Sequence, residues 1–337
     1  MRRREFISML TGVAAVWPLA ARAQQAGTRP RLAWIHPSAL LADLQENGSV
    51  RAYRAFLEQL RKLGRVEGAN LIVERYSGGG RQDHYEELVR NVVQSRPDVV
   101  FTSGSEIARH LKAATTTIPI VAVLTDPVAD GFITNLAHPG GNVTGAAVDA
   151  GIEIWSKRLA LLKESLPSAS RVGLLCSRAY WENPGKAGEA LRAAAPKLGV
   201  SVSGCVQEGA LQEAGYRRVF DAIQRDRLDG IVVHDQAENF TNRKIIVELA
   251  RSAGLPAIYP YREYVELGGL MAYAVDLPDA FRHAADHVDK ILRGVSPSEL
   301  PFYQQTRFEL LINLKTAKAL NLNIPATLLG SSDEVIE

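Results

Sequence analysis

Short hydrophobic segments alternate with longer amphipathic segments along most of this chain. The segment RLAWIHPS at 31–38 predicts a strand that ends in a turn. The next segment, VRAYRAFLEQLRKLG, has Tyr53, Phe56 and Leu60 at helical spacing and stops at Gly64. Strands that alternate with helices in this way are typical of a parallel sheet with helices on both faces.

Two such α/β units follow one another, with a boundary near 148–151. The predicted strands are NLIVERYS, DVVFTSGS, PIVAVLTDP and GNVTGAAV in the first unit, and RVGLLCS, VSVSGCV, DGIVVHD and PAIYP in the second. The strand and helices at 277–325 come after the second unit is complete. One explanation is that the chain recrosses to the first unit and then returns, so that several crossing segments form a hinge. We therefore predict two Rossmann-like lobes, the first from 30–147 plus about 276–303 and the second from 148–275 plus about 304–337.

The first residues are typical of an export signal. Residues 1–23 have a basic start, an apolar stretch at 7–20 and the sequence Ala21-Arg22-Ala23, which predicts a signal peptide cleaved after Ala23. Arg3 and Arg4 resemble the pair of a twin-arginine signal. The apolar stretch is shorter than the ~20 residues of a spanning helix. We expect the mature protein in the periplasm.

Composition and motifs argue against several classes of function. The net charge is +2 and no long Lys/Arg block occurs, so no nucleic-acid footprint is visible. His283 and His287 are spaced as in H-E-x-x-H but lack its glutamate, and no glycine-rich nucleotide motif or G-x-S-x-G motif is present. Cys176 and Cys205 have no pattern of a nucleophile, and we expect them to stay unpaired. We expect no enzyme activity, no cofactor and no metal.

Candidate binding residues follow the predicted strands, because ligands of open parallel sheets bind outside the carboxyl ends of the strands. The candidates in the first unit are Ser38, Ser103, Gly104, Ser105, Thr125 and Asp126. Those in the second unit are Trp181, Asp235, Tyr259, Tyr261, Glu263 and Tyr273. If the lobes face each other, both sets line one crevice.

Some candidate residues are suited to bind an anionic group of the ligand and others a cationic group. Ser103-Gly104-Ser105 opens a helix, where hydroxyls and free N–H groups attract an anion such as a carboxylate. Alternatively, Ser105 only caps that helix. Asp126 and Asp235 are placed to hold an ammonium group, or else are turn or cap residues.

The remaining candidates complete an amino-acid-sized site. Glu263 is placed for the same role as the two aspartates. Tyr259, Tyr261 and Trp181 are suited to stack on an apolar or aromatic substituent. We expect Trp181 to fill part of the pocket and to favour a smaller ligand.

The blocks MRRREFI, WPLAARAQQ, HPGGNVTG, LPAIY, GGLMAY and FELLINLKTAKALNLNIP occur in this order and span nearly the whole chain. Together they resemble the ABC-transporter substrate-binding proteins related to tryptophan- and tyrosine-binding components. The resemblance implies a type 1 periplasmic-binding fold with three crossovers, a ligand between the lobes, docking on an ABC permease in the inner membrane and no catalysis. The chain departs from the family pattern at 36–38 and in SRAYWENP, so branched or aromatic amino acids and other small carboxylates all stay open as ligands.

Other functions remain as alternatives. The same fold serves as the ligand-sensing part of regulators, and an extracytoplasmic partner of a sensor kinase is the second hypothesis. An enzyme on two α/β domains would need a nucleotide motif or a nucleophile–base pair, and we find neither. The partners we predict are a small-molecule ligand and a permease, for a monomeric protein.

Overall fold

The structure is a computed structural model that describes residues 29–148, 153–207 and 211–337. The predicted signal peptide lies outside the described residues. The strands are β1 (Arg31–His36), β2 (Ile72–Ser77), β3 (Val99–Ser103), β4 (Ile120–Leu124), β5 (Val143–Ala147), β6 (Arg171–Ser177), β7 (Ser201–Gln207), β8 (Gly230–Val233), β9 (Ala257–Tyr259), β10 (Met271–Val275), β11 (Tyr303–Gln304), β12 (Phe308–Asn313) and β13 (Glu334–Ile336).

The helices alternate with these strands. They are α1 (Arg51–Lys62), α2 (Tyr85–Gln94), α3 (Ser105–Ala114), α4 (Ile154–Ser165), α5 (Arg178–Glu182), α6 (Gly185–Ala194), α7 (Glu213–Arg225), α8 (Ala237–Thr241), α9 (Arg243–Ser252), α10 (Arg262–Glu266), α11 (Leu277–Leu292), α12 (Leu314–Ala319) and α13 (Ala326–Gly330). Single 3₁₀ turns lie at Gln82–His84, Pro196–Leu198 and Pro297–Glu299.

The strands form two sheets, one in each lobe. The first sheet has the order β11-β5-β4-β3-β1-β2 and all its pairs are parallel. The second has the order β13-β12-β10-β9-β8-β6-β7. The prediction of two α/β lobes with mostly parallel sheets is confirmed. We call the first sheet with the helices that pack on it lobe 1, and the second sheet with its helices lobe 2.

Both faces of the first sheet are covered, as its alternating side chains require. Trp34 on β1 packs with Phe56 on α1, at 5.1 Å between ring centroids. Phe281 on α11 contacts Phe101 on β3 edge to face, so α11 belongs to lobe 1 although it follows lobe 2 in sequence. Ile35, which points to the other face, packs in the cluster that includes residues of α2 and α3.

The chain passes between the sheets after β5, after β10 and after β11. The alternation of elements predicted parallel strands, but β12 runs antiparallel to β10. The register explains this exception, since Val275 pairs with Phe308. The chain leaves lobe 2 at Val275 and returns beside it at Phe308, so β12 has to run back along β10.

Gln305 joins the three crossings. Its backbone N–H donates to the carbonyl of Ala147 at 3.0 Å. Its side-chain amide donates to the carbonyl of Asp276 and to Asp279 Oδ2, each at 3.0 Å. Gln305 is 3% exposed, and its two side-chain bonds are partly buried. One residue thus joins all three segments, through its backbone and its side chain.

Cys176 and Cys205 are buried free thiols in lobe 2. Burial raises the pKa of each to about 12. Within the described ranges, none of the helices combines the length and the apolar character that crossing a membrane would require.

Candidate functional site

A cavity of about 410 Å³ lies between the lobes at the carboxyl ends of the strands. This volume falls within the range of about 300–1,000 Å³ that is typical of small-molecule sites. The predicted site residues that line it are Ser103, Gly104, Ser105, Thr125, Asp126, Asp235 and Tyr261. Polar groups from the ends of β3, β4 and β8 therefore meet in one place.

The junction of β3 and α3 contributes a glycine turn and the first residue of a helix to the cavity lining. Gly104 has φ of 98°, a left-handed conformation that favours glycine, and an added Cβ would lie 3.3 Å from the Cβ of Ala237 in lobe 2. The Ser105 hydroxyl donates to Asp130 Oδ2 at 2.6 Å. Arg109 lies 3.7 Å from the other oxygen of Asp130. A ligand anion at this helix start would lie beside a carboxylate, and the anion clamp stays a prediction.

Two aspartates of lobe 1 differ in their surroundings. Asp126 Oδ1 accepts from the N–H groups of Val128 and Ala129 at 3.0 and 2.9 Å, which orders the turn after β4. Burial raises the pKa of Asp130, although the Ser105 hydrogen bond and the charge of Arg109 act in the opposite direction.

Asp235, directly after β8, connects the two lobes. Its Oδ2 accepts from the Thr125 hydroxyl of lobe 1 at 3.1 Å. Its Oδ1 is buried and has no hydrogen-bond donor among the described residues, since His234 Nδ1, which lies 3.2 Å away, itself accepts from the Gln236 N–H. Burial raises the pKa of Asp235 to about 6, against the charge of Arg158 and the Thr125 hydrogen bond. A buried carboxylate oxygen without a donor is costly, so Oδ1 is suited to a donor brought by a ligand.

Aromatic rings form the lobe 2 wall beside this carboxylate. The ring of His234 stacks on Trp155 at 4.7 Å and 7°, and the ring of Tyr180 lies 3.8 Å from that of His234 at 56°. Burial lowers the pKa of His234 to about 3, which keeps the ring neutral. The Tyr261 hydroxyl donates to the backbone carbonyl of Asp235 at 3.3 Å. These groups give the cavity an apolar side next to its acidic one.

In lobe 1, His36 and Tyr53 also line the cavity. His36 Nδ1 accepts from the N–H groups of Ser38 and Ala39 at 3.1 and 2.8 Å. Its Nε2 lies 2.7 Å from the Tyr53 hydroxyl. His36 is fully buried, and burial lowers its pKa to about 3.

Two predicted residues lie in the contact between the lobes rather than in the cavity lining. The Ser38 hydroxyl pairs with that of Thr241 at 2.8 Å. Glu263 lies 3.4 Å from Arg51 of lobe 1. Both contacts join lobe 1 to lobe 2.

Three further predicted residues pack within lobe 2 outside the cavity lining. Trp181 lies over Gly204, where an added Cβ would be 2.5 Å from the indole, and the Arg192 guanidinium lies 4.3 Å from its ring. Tyr259 stacks on Tyr264 at 4.8 Å, and Tyr273 stacks on Phe308 at 5.2 Å. Tyr180, the neighbour of Trp181, lines the cavity in its place.

Sequence reasoning missed several lining residues. Trp155 lies in the first turn of α4, where its apolar character is typical of a core position. Glu238 on α8 is 3% exposed and accepts from the Tyr85 hydroxyl of lobe 1 at 2.8 Å. Asp130 was only weakly indicated by the sequence, because it reads as one more polar residue of the turn that contains Asp126 and Pro127.

The cavity lining has an excess of acidic groups. Its described residues include the carboxylates of Glu106, Asp126, Asp130, Asp235 and Glu238. The cations among these described lining residues are Arg109 and Lys186. Such a site favours a ligand that carries positive charge. In the part of the chain that the structure describes, no three His, Cys, Asp or Glu side chains are grouped to hold a metal ion.

Comparison with known proteins agrees with this architecture. Residues 39–336 match the family model described as ABC transporter substrate binding protein. A tyrosine-binding protein of Clostridioides difficile (strain R20291) is 23% identical over 284 residues, which cover 84% of this chain and 80% of that protein.

Two solved structures resemble the whole fold. A conserved domain protein from Vibrio cholerae O1 biovar El Tor is 25% identical with a TM-score of 0.77, covering 91% of this chain and 100% of that one. The ABC domain in complex with L-Trp from Streptococcus pneumoniae is 20% identical with a TM-score of 0.76, covering 92% and 100%. Since the family model spans nearly all of the described residues, the chain belongs to the ABC transporter substrate-binding protein family.

Proposed function

We propose that this protein is the exported solute-binding component of an ABC uptake system and that it binds an amino acid between its lobes. The observation that carries the proposal is the buried Asp235 Oδ1, which lines the cavity without a hydrogen-bond donor among the described residues. An α-ammonium group supplies both a donor and the compensating charge.

An aromatic side chain is the favoured substituent of the ligand. Trp155, Tyr180 and Tyr261 provide ring faces and edges within the same cavity as Asp235. The names of two similar proteins, one tyrosine-binding and one in complex with L-Trp, point the same way.

Ligand binding is also coupled to closure of the two lobes. Asp235 belongs to lobe 2 and Thr125 to lobe 1, and their hydrogen bond exists only when the lobes are together. A ligand that touches both lobes stabilises this closed form, which is the form that a permease would recognise. The export signal predicted at residues 1–23 supports a mature protein in the periplasm, where we propose that it acts as a monomer beside that permease.

Calorimetric titration of the mature protein with L-tryptophan, L-tyrosine, L-phenylalanine and L-leucine tests this function. We expect saturable binding that is tightest for an aromatic amino acid. Asp235→Asn should weaken it at least about tenfold, because an amide offers no charge to the ammonium group. Asp226→Asn, at an exposed position at the end of α7, is the matched control and should bind as the wild type does.

Wild-type protein that binds none of these amino acids would refute the amino-acid assignment. Co-purification from membranes then separates the two partner hypotheses, since a permease supports uptake and a sensor kinase supports the sensing alternative.

A further inference from the structure

Tyr53 on α1 reaches the cavity from lobe 1 in a fixed orientation. Its ring packs edge to face on Trp34 at 5.7 Å and against Phe281 at 5.4 Å. The residue is 2% exposed, yet it belongs to the cavity lining. Its ring is therefore held by packing, and almost none of the residue is exposed.

The hydrogen bonds of His36 determine which way the Tyr53 hydroxyl points. His36 is neutral, so one ring nitrogen carries a proton and the other accepts. Two backbone N–H groups, those of Ser38 and Ala39, donate to Nδ1, which must therefore be the unprotonated nitrogen. The proton is on Nε2, and Nε2 donates to the Tyr53 oxygen at 2.7 Å.

The Tyr53 oxygen is thus an acceptor toward His36, and its own proton has to bond elsewhere. Within the described residues, His36 is the hydrogen-bond partner found for this hydroxyl. A buried O–H group without an acceptor is costly, and Tyr53 lines the ligand cavity.

We propose that Tyr53 is a specificity-determining residue that donates its hydroxyl proton to an acceptor oxygen of the ligand, and that His36 is the positioning residue that fixes this direction. The proposal rests on the proposed function for its ligand class, an amino acid. Asp235 in lobe 2 accepts a hydrogen bond from a donor group of the ligand, and Tyr53 in lobe 1 donates one to an acceptor group. The two residues therefore bind chemically opposite groups of one ligand from opposite lobes.

Two oxygen sources are compatible with this geometry, the carboxylate of the amino acid and a phenolic hydroxyl on its side chain. L-Tryptophan carries only the carboxylate oxygens, whereas L-tyrosine carries both. We expect Tyr53→Phe to weaken binding of the ligand about tenfold. An equal loss for both amino acids assigns the carboxylate, and a loss confined to L-tyrosine assigns the phenol.

The matched control is Tyr264→Phe. Tyr264 is also fully buried and its hydroxyl has no hydrogen-bond partner among the described residues, but it lies outside the cavity lining. This variant should bind both amino acids as the wild type does. Wild-type affinity of Tyr53→Phe for both amino acids would overturn the proposal.

His36 is tested by two substitutions and one spectrum. His36→Gln places an amide donor near the position of Nε2 and should retain more affinity than His36→Asn, which keeps only an acceptor near Nδ1. Nitrogen-15 spectra of histidine-labelled, ligand-free protein should show His36 with Nε2 protonated and Nδ1 unprotonated. A proton on Nδ1 would overturn the proposal whatever the ligand is. If the wild type binds no amino acid, the proposed function fails, and this spectrum alone then decides the direction of the Tyr53 hydroxyl.

Discussion

Asp235 has a carboxylate that the fold buries between two lobes while one of its oxygens lacks a donor. Its Thr125 hydrogen bond and the charge of Arg158 favour the ionised form, but burial outweighs both and raises the pKa to about 6. The residue is therefore ionised at neutral pH at a cost that a ligand ammonium group would remove.

This raised pKa predicts a pH dependence of lobe closure in the ligand-free protein. In an open form the Asp235 carboxylate is not buried and has its ordinary pKa of 3.8, whereas in the closed form it takes up a proton below about pH 6. We expect the radius of gyration of the ligand-free wild type to fall as the pH is lowered from 7.5 to 5, measured by small-angle X-ray scattering.

Asp235→Asn serves as the control for that titration, because its amide does not ionise. Its radius of gyration should change much less over the same range. A wild-type radius of gyration that is constant from pH 7.5 to pH 5 would show that the charge of Asp235 does not oppose closure.

Among the elements, the three crossings decide how the lobes are positioned. The second and third crossings follow β10 and β11, and Gln305 bonds both of them to the end of β5. The side chain is nearly fully buried, and its loss removes the donor to the carbonyl of Asp276 and to Asp279 Oδ2.

We expect Gln305→Ala to lower the free energy of unfolding by about 1–3 kcal/mol, measured by urea denaturation. Gln304→Ala, one residue earlier on β11, is the matched control and should have a much smaller effect. Equal stability of the two variants would contradict the role assigned to Gln305 in joining the crossings.

At the scale of the whole molecule, much of the fold could be predicted from sequence. Strands such as VVFTS and IVAVL are buried on both faces and therefore read as continuous hydrophobic runs. The antiparallel β12 could not be predicted, because its direction depends on where the chain returns from lobe 1 and not on its own residues.

The site was predictable only in part. The rule that ligands bind after strand ends identified Ser103, Thr125 and Asp235, which line one cavity in the structure. It could not choose between Tyr180 and Trp181, since a step of one residue on α5 turns a side chain from the cavity to the packing over β7. It also could not identify Trp155, because a residue in the first turn of a helix after a crossing follows no strand end.

The lobes are joined by buried polar contacts, including Tyr85 with Glu238 and Thr125 with Asp235. The shift in the pKa of Asp235 from 3.8 to about 6 corresponds to a cost of roughly 3 kcal/mol for burying its charge at neutral pH. The closed form, in which Asp235 is buried, therefore becomes more stable as the pH falls through about 6 and less stable as the pH rises. Without a ligand at neutral pH, this charge opposes closure.

Small-angle X-ray scattering of the mature protein at pH 7.5, with and without saturating L-tryptophan, tests this account most directly. We predict that the lobes of the ligand-free wild type are open and that L-tryptophan reduces its radius of gyration. Ligand-free Asp235→Asn should already be more compact than the ligand-free wild type. An unchanged radius of gyration of the wild type when L-tryptophan is bound, or an Asp235→Asn variant as extended as the ligand-free wild type, would contradict it.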